Sequence, residues 1–212
     1  MNNKGVFISF EGIDGAGKTT LINNLSKRFT RENYPVYTVR EPGGTAISEK
    51  IRGILLDARN NEMLAKTEVL LYSAARVQLV EAVIKPLLDK GFLVFADRYT
   101  DSTIAYQGYG RGLEMTFLNM LNQFCAGLVP PALTFLIDIE PETAAVRKKT
   151  ENKDRLEKAG LSFQEKVRAG YLNIAKTNPE RIRIIEGWRK PAELEKLAAG
   201  VIMELMQKND YN

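Results

Sequence analysis

Histidine is absent from the 212 residues, and cysteine occurs once, at Cys125. The first absence excludes imidazole general-base catalysis and histidine-ligated metals; a lone thiol excludes an internal disulfide and a thiolate metal cage. Any metal must then be hard and oxygen-bound. No Pro/Gly/Ser-rich linker or low-complexity tract divides the chain, so residues 1–212 are expected to form one domain with a substantial core. No apolar run is long enough to cross a bilayer, and Met1-Asn2-Asn3-Lys4 leads into the first apolar run without a signal-peptide core. A cytoplasmic protein with no membrane partner is expected. The basic residues form no stripe interleaved with aromatics, so nucleic acid is not the expected partner either. The formal charge of +4 suits a site that must hold several phosphate charges. Leu121, Phe124, Cys125 and Leu128 predict a helix face turned toward the core, with Cys125 structural.

What the chain does have is a dense glycine motif. Gly12-Ile13-Asp14-Gly15-Ala16-Gly17-Lys18-Thr19 satisfies the phosphate-loop pattern of Gly, four free positions, then Gly-Lys-Thr, and Thr20 follows it. The run Val6 to Phe10 before it reads as a buried strand, and Leu21, Ile22, Leu25 and Phe29 after it share one helix face. In that setting the backbone N–H groups of Gly12 to Thr20 would curl around the phosphates of a bound nucleotide. The helix N-terminus near Lys18 adds its positive end. Lys18 would reach the β and γ phosphates, and Thr19 would offer its hydroxyl to magnesium.

Apolar runs at Val6–Phe10, Val36–Val39, Phe92–Ala96, Leu133–Ile139 and Ile182–Ile185 alternate with helix-like segments. This is the pattern of an α/β protein with a mainly parallel sheet and helices on both faces. Ligands of such sheets bind at the carboxyl ends of the strands. The phosphate loop, Arg40-Glu41-Pro42-Gly43-Gly44 and Asp97-Arg98-Tyr99 each follow a predicted strand and should face one crevice. A long helix is predicted from about Lys66 to Lys90, bent or interrupted by Pro86 and stopped by Gly91. Leu70, Leu71, Val77, Leu79, Val80, Val83 and Ile84 populate more than one of its sides. That pattern fits a fully covered core helix and a subunit contact equally well. The charged run Arg147 to Arg155 lies between a helix opening at Pro141 and another near Ser162; it reads as a surface loop or as a basic lid over about 147–160.

Taken in order, Glu11 to Thr20, Arg40-Glu41-Pro42-Gly43-Gly44-Thr45, Ala74-Ala75-Arg76-Val77-Gln78-Leu79-Val80-Glu81, Asp97-Arg98-Tyr99 and Tyr106-Gln107-Gly108 strongly resemble the bacterial thymidylate kinase family. The likeness covers almost the whole chain. It implies a phosphate-loop fold with a five-stranded parallel sheet, transfer of the γ-phosphoryl of ATP to thymidine monophosphate, and a homodimer that contacts through helices. It also implies site roles. Asp14 would lie near the acceptor sugar and phosphate, Arg40 and Arg98 would grip that phosphate, and Asp97 would help hold magnesium through water. Tyr72 matches the aromatic platform for thymine, Arg76 the donor to its O4, Gln107 a polar contact at its edge, and Tyr106 the gate below the sugar. Ser102 and Thr103 belong to the same acceptor group. Ala16 in the loop places the chain with the subgroup whose arginines lie in the lid, where Arg147, Lys149, Lys153 and Arg155 are candidates for the transition-state cation.

The nucleophile would be an oxygen of the acceptor's own phosphate. With a second pKa around 6 it is already mostly ionised, so no general base is needed. Two rivals share the motif. A deoxynucleoside kinase would need Asp14, Glu11 or Asp97 to take a hydroxyl proton, and a nucleotide-dependent ATPase switch would turn over without any acceptor. Gly187, Trp188 and Arg189 lie where adenine is expected.

Overall fold

The central strand of the sheet is also the one that feeds the phosphate loop. In the computed structural model, which describes residues 5–127, 129–147 and 155–208, β1 (Val6–Glu11) is buried along its whole length. Beside it run β2 (Val36–Arg40), β3 (Leu93–Asp97), β4 (Leu133–Asp138) and β5 (Ile182–Glu186), all parallel, in the order β2-β3-β1-β4-β5. Phe10 pairs with Asp97 across β1 and β3, and Arg40 pairs with Asp97 across β2 and β3. That register makes the three strands end level, so the motifs that follow them leave the sheet side by side. Phe10 packs against Phe95 and Phe135, each 5.5 Å away between ring centroids, which anchors the strand ends beneath the loop.

Continuous apolar runs predict strands covered on both faces, and this holds for β1, β3 and β4. The edge strands differ: Tyr37 on β2 and Ile184 on β5 are exposed, because an edge strand has fewer covering neighbours.

Helix α1 (Lys18–Arg31) buries Leu21, Ile22, Leu25 and Phe29 against the sheet, the stripe its spacing predicts. Helix α2 (Ala46–Leu56) starts at Thr45, whose hydroxyl accepts the N–H of Ser48. The predicted 66–90 helix is three segments: α3 (Ala65–Leu79), a π-helical turn (Val80–Ile84) and α4 (Lys85–Asp89). Pro86 has no N–H to continue the ladder, and the wide turn before it is where the ladder changes pitch. Leu79, Val80 and Ile84 are core, whereas Leu70 faces outward.

Helix α5 (Thr100–Thr103) runs into a second π-helical turn, Ile104–Gly110, and then α6 (Met115–Ala126) packs against α3. Cys125 is buried as expected, but Phe124 is 83% exposed. The predicted core face of that helix was therefore drawn too wide; adjacent residues on a helix point about 100° apart and cannot both face inward here. The remaining helices are α7 (Pro141–Arg147), α8 (Leu161–Thr177) and α9 (Pro191–Lys208), the last packed across α1. Leu128 and the lid residues Lys149 and Lys153 lie outside the described residues. Among those described, no helix is long and apolar enough to cross a membrane.

Candidate active site

Two cavities open at the carboxyl ends of the strands. The larger, about 900 Å³, is lined by Asp14 to Asn23, Thr38 to Glu41, Arg52, Asp97, Arg98, Arg147, Gly187, Arg189 and Leu194, among others. The smaller, about 90 Å³, is walled by Tyr72, Arg76, Ser102, Thr103, Tyr106, Gln107, Pro42, Leu56 and Leu156. Asp14, Glu41, Arg52 and Arg98 line both. The cavities therefore meet at two cations and two carboxylates. The smaller has room for only about three waters, well under the roughly 300 Å³ of a typical ligand site, so its walls must part to take a nucleotide.

The loop between them is shaped by backbone that side chains would obstruct. Gly12 has φ +135°, and a Cβ there would sit 2.5 Å from the Ile137 carbonyl oxygen. Gly17 has φ +102° at the start of α1, with open space where a Cβ would be. That open side gives an anion access to the helix N-terminus. Lys18 is buried beneath the loop and donates from Nζ to the carbonyl oxygens of Gly12 and Ile13, 3.0 Å each. Burial, reinforced by the charge of Arg98, pulls its pKa down to about 8.

Arg98 is the junction of the site. Its backbone has φ 74°, a left-handed conformation rarely taken outside glycine, and such strain gathers at functional positions. The guanidinium donates to the Gly12 carbonyl and the Tyr171 hydroxyl (3.1 Å each), Asp14 Oδ1 (2.7 Å) and the Tyr106 hydroxyl (3.0 Å). It also lies 4.9 Å from the centre of the Tyr106 ring. Behind it Glu11 accepts the N–H of Tyr99 and the hydroxyls of Ser102 and Tyr171. Burial and the nearby Asp101 push Glu11 up to about 7. Glu11 lines neither cavity, so it is not placed to take a proton from a sugar hydroxyl.

Arg76 is 2% exposed, and its guanidinium makes four hydrogen bonds and an ion pair inside the protein. Nε and one terminal nitrogen reach Glu41 Oε2 at 2.8 and 2.7 Å, and the remaining donors meet Thr103, Asn122 and the Tyr99 carbonyl. A ligand at this wall would have to share or displace one of those acceptors. Thr19 donates to Asp97 Oδ2 at 2.7 Å, so the two residues expected at magnesium are adjacent. They offer hard oxygens, and no cluster of three metal-binding side chains exists among the described residues. That fits an ion that keeps several waters and takes ligands from substrate phosphates.

A sequence model of the thymidylate kinase family matches residues 10–197. The chain belongs to that family. Curated thymidylate kinases from Caldanaerobacter subterraneus subsp. tengcongensis (43% identical, covering 96% of this chain and 98% of the relative) and Desulforudis audaxviator (46%, covering 88% and 85%) are among its relatives. Another from Thermoanaerobacter sp. is 42% identical and covers 96% of this chain and 100% of its own.

Within this thymidylate kinase fold, Asp14, Tyr72, Arg76, Arg98, Ser102, Thr103, Tyr106 and Gln107 gather around the smaller cavity. Two predicted positions, Arg40 and Arg155, fall elsewhere. Arg40 lines the larger cavity and pairs with Glu49 at 3.0 Å. Ser102 and Thr103 spend their hydroxyls on Glu11 and Arg76. Arg155 is buried against Glu68 and the Leu55 carbonyl and lines neither cavity, so it is not brought to the phosphates. Arg147 does line the larger cavity and donates to the Gly187 carbonyl at 2.8 Å. Gly187 and Arg189 share that wall, while Trp188 is exposed beneath the Arg189 guanidinium.

Arg52, Glu41 and Leu156 were not foreseen as site residues. Arg52 sits on α2 just after the Arg40 to Thr45 motif, and its bond to the Pro42 carbonyl aims it back at the crevice. A basic residue one helix into a strand-end motif was the available signal.

Proposed function

We propose that the chain transfers the γ-phosphoryl group of ATP to thymidine 5′-monophosphate, giving dTDP and ADP for dTTP synthesis. The observation that carries this reading is the wall shared by the two cavities. Arg52 and Arg98 stand where a donor in the larger cavity and an acceptor in the smaller would bring their phosphates together. Catalysis then consists of in-line positioning and neutralisation of charge by Lys18, Arg98 and Arg147, since the acceptor phosphate is already ionised. Magnesium, held by Thr19 and by Asp97 through water, would add charge on the β and γ phosphates. Tyr72 would carry the thymine ring, Arg76 and Gln107 its edge, and Tyr106 would exclude a ribose hydroxyl beneath the sugar.

A nucleoside kinase needs a base at the sugar, and the burial of Glu11 away from both cavities speaks against that carboxylate. An ATPase switch needs no acceptor. Release of ADP measured with and without thymidine monophosphate separates the readings. Turnover should depend on the monophosphate, and equal rates in its absence would overturn the proposal.

Lys18 adds a pH signature. Burial lowers its pKa to about 8, and a triphosphate placed against it favours the charged form. ATP binding at about pH 8.5 should therefore take up a proton, an uptake that fades toward pH 6.5, where Lys18 is already charged. Calorimetry in two buffers of different ionisation heat measures it. Equal apparent heats at pH 8.5 would show that Lys18 does not change its charge.

The same reading includes a homodimer. Phe117, Met120 and Phe124 recur on one face of α6 and are 40%, 64% and 83% exposed, while Leu70 on the adjoining α3 is 53% exposed. So much apolar surface on two packed helices fits a second copy. Sedimentation at micromolar concentration should give twice the 23.8 kDa chain mass. Phe124→Glu should return it to one chain; a wild-type monomer would remove the proposal.

A further inference from the structure

Glu68 lies on α3, one helical turn before Tyr72, and is completely buried. It belongs to no motif and lines neither cavity. Four donor contacts converge on it. Gln107 Nε2 reaches Oε1 at 2.8 Å, Arg111 reaches Oε1 at 3.3 Å and Oε2 at 3.0 Å, and Arg155 reaches Oε2 at 2.5 Å. Burial pushes the carboxyl up, but the bonds from Arg111 and Gln107 and the charge of Arg155 outweigh it and hold the group below the usual carboxylate range. Glu68 is therefore an ionised carboxylate, and an ionised carboxylate only accepts.

This settles a choice that an amide otherwise leaves open. Gln107 has an oxygen end and a nitrogen end of nearly the same shape, with opposite hydrogen-bonding character. Facing an acceptor, it must turn its nitrogen toward Glu68. The oxygen end is left for the cavity wall, where among the described residues no donor meets it.

We propose that Glu68 is a positioning residue for base selection, which holds the Gln107 amide so that a pyrimidine in the smaller cavity meets a hydrogen-bond acceptor. The inference rests on the base-edge reading given above. Arg76, by sharing one of its N–H groups, would present a donor and Gln107 an acceptor, which matches the O4 acceptor and N3–H donor of thymine. Cytosine reverses both positions, with an amino group at C4 and a bare nitrogen at N3, so each contact becomes a clash of like with like. Without Glu68 the amide can rotate and offer N–H to cytosine N3, and half of the discrimination is lost.

The test compares competition binding of thymidine and deoxycytidine monophosphates to wild type, Glu68→Gln and the double variant Glu68→Gln/Gln107→Glu. In Glu68→Gln the preference for thymidylate should fall roughly tenfold, as for one hydrogen bond lost from a buried pair. KM for thymidylate should rise while KM for ATP stays unchanged. In the double variant the pair is restored with donor and acceptor exchanged, and residue 107 can only accept, so part of the preference should return. An unchanged preference in folded Glu68→Gln, or no recovery in the double variant, overturns the proposal. A wild type that does not prefer thymidylate would instead overturn the base-edge reading itself. Should Glu68→Gln fail to fold, the wild-type Gln107 side-chain amide decides, its NMR signal identified by its loss in Gln107→Leu. Slow proton exchange supports a carboxylate-held amide, and exchange at the rate of an exposed glutamine rejects it.

Discussion

Lys18→Met should give a folded protein in which phosphoryl transfer is reduced on the order of a thousandfold or more, with most of the loss in kcat. Lys18 already lies under the loop, held by the Gly12 and Ile13 carbonyl oxygens, so its charge is in place before the reaction begins. A preorganised cation in a water-poor site acts most strongly where negative charge shifts in the transition state. Folding should survive because methionine fills a similar volume and removes a buried charge whose pKa is already depressed by desolvation. Steady-state kinetics with saturating substrates, read beside a thermal melt, checks both halves. A variant with near-normal kcat would contradict the role given to the loop.

Arg98→Ala should cost a comparable factor, roughly a hundredfold to a thousandfold in kcat/KM for the acceptor. The guanidinium stands on the wall common to both cavities and also orients Asp14 and Tyr106. Its removal thus withdraws a cation from the phosphates and loosens two neighbours. The backbone supplies an internal control. At φ 74° alanine is strained and glycine is not, so Arg98→Gly should match Arg98→Ala in lost activity yet be more stable by about 1 kcal/mol. Urea unfolding of the two variants measures the difference. Activity within tenfold of wild type, or alanine proving the more stable, would remove Arg98 from the centre of the site.

Local signals were the ones legible in the sequence. The strand, glycine loop and helix from Val6 to Phe29 are contiguous, and each residue type there answers a nearby geometric demand. The five strands were legible for the same reason, as buried parallel strands are short apolar runs. What stayed hidden depends on partners far along the chain. Glu68 looks like one charged residue among many on a helix; its burial follows only when Gln107, Arg111 and Arg155 fold around it. Arg155 sits in a run of surface-like charges and gives no sign that it turns inward. Phe124 failed in the opposite direction. An aromatic beside a buried cysteine suggests core, and only the shape of the assembled surface reveals an outward ring.

The π-helical turn at Ile104–Gly110 carries Tyr106 and Gln107. Such a turn is in effect an α-helix with one extra residue, so the site depends on chain length as well as on residue identity. Removing any single residue from that stretch would allow ordinary helical pitch to return: the flanking helices would keep their register, and the residues inside the turn would be re-aimed. Tyr106 or Gln107 would then leave the cavity with no change to its own side chain. A comparison that scores only which amino acids are present would miss that loss; one that counts residues between Arg98 and Gly112 would find it.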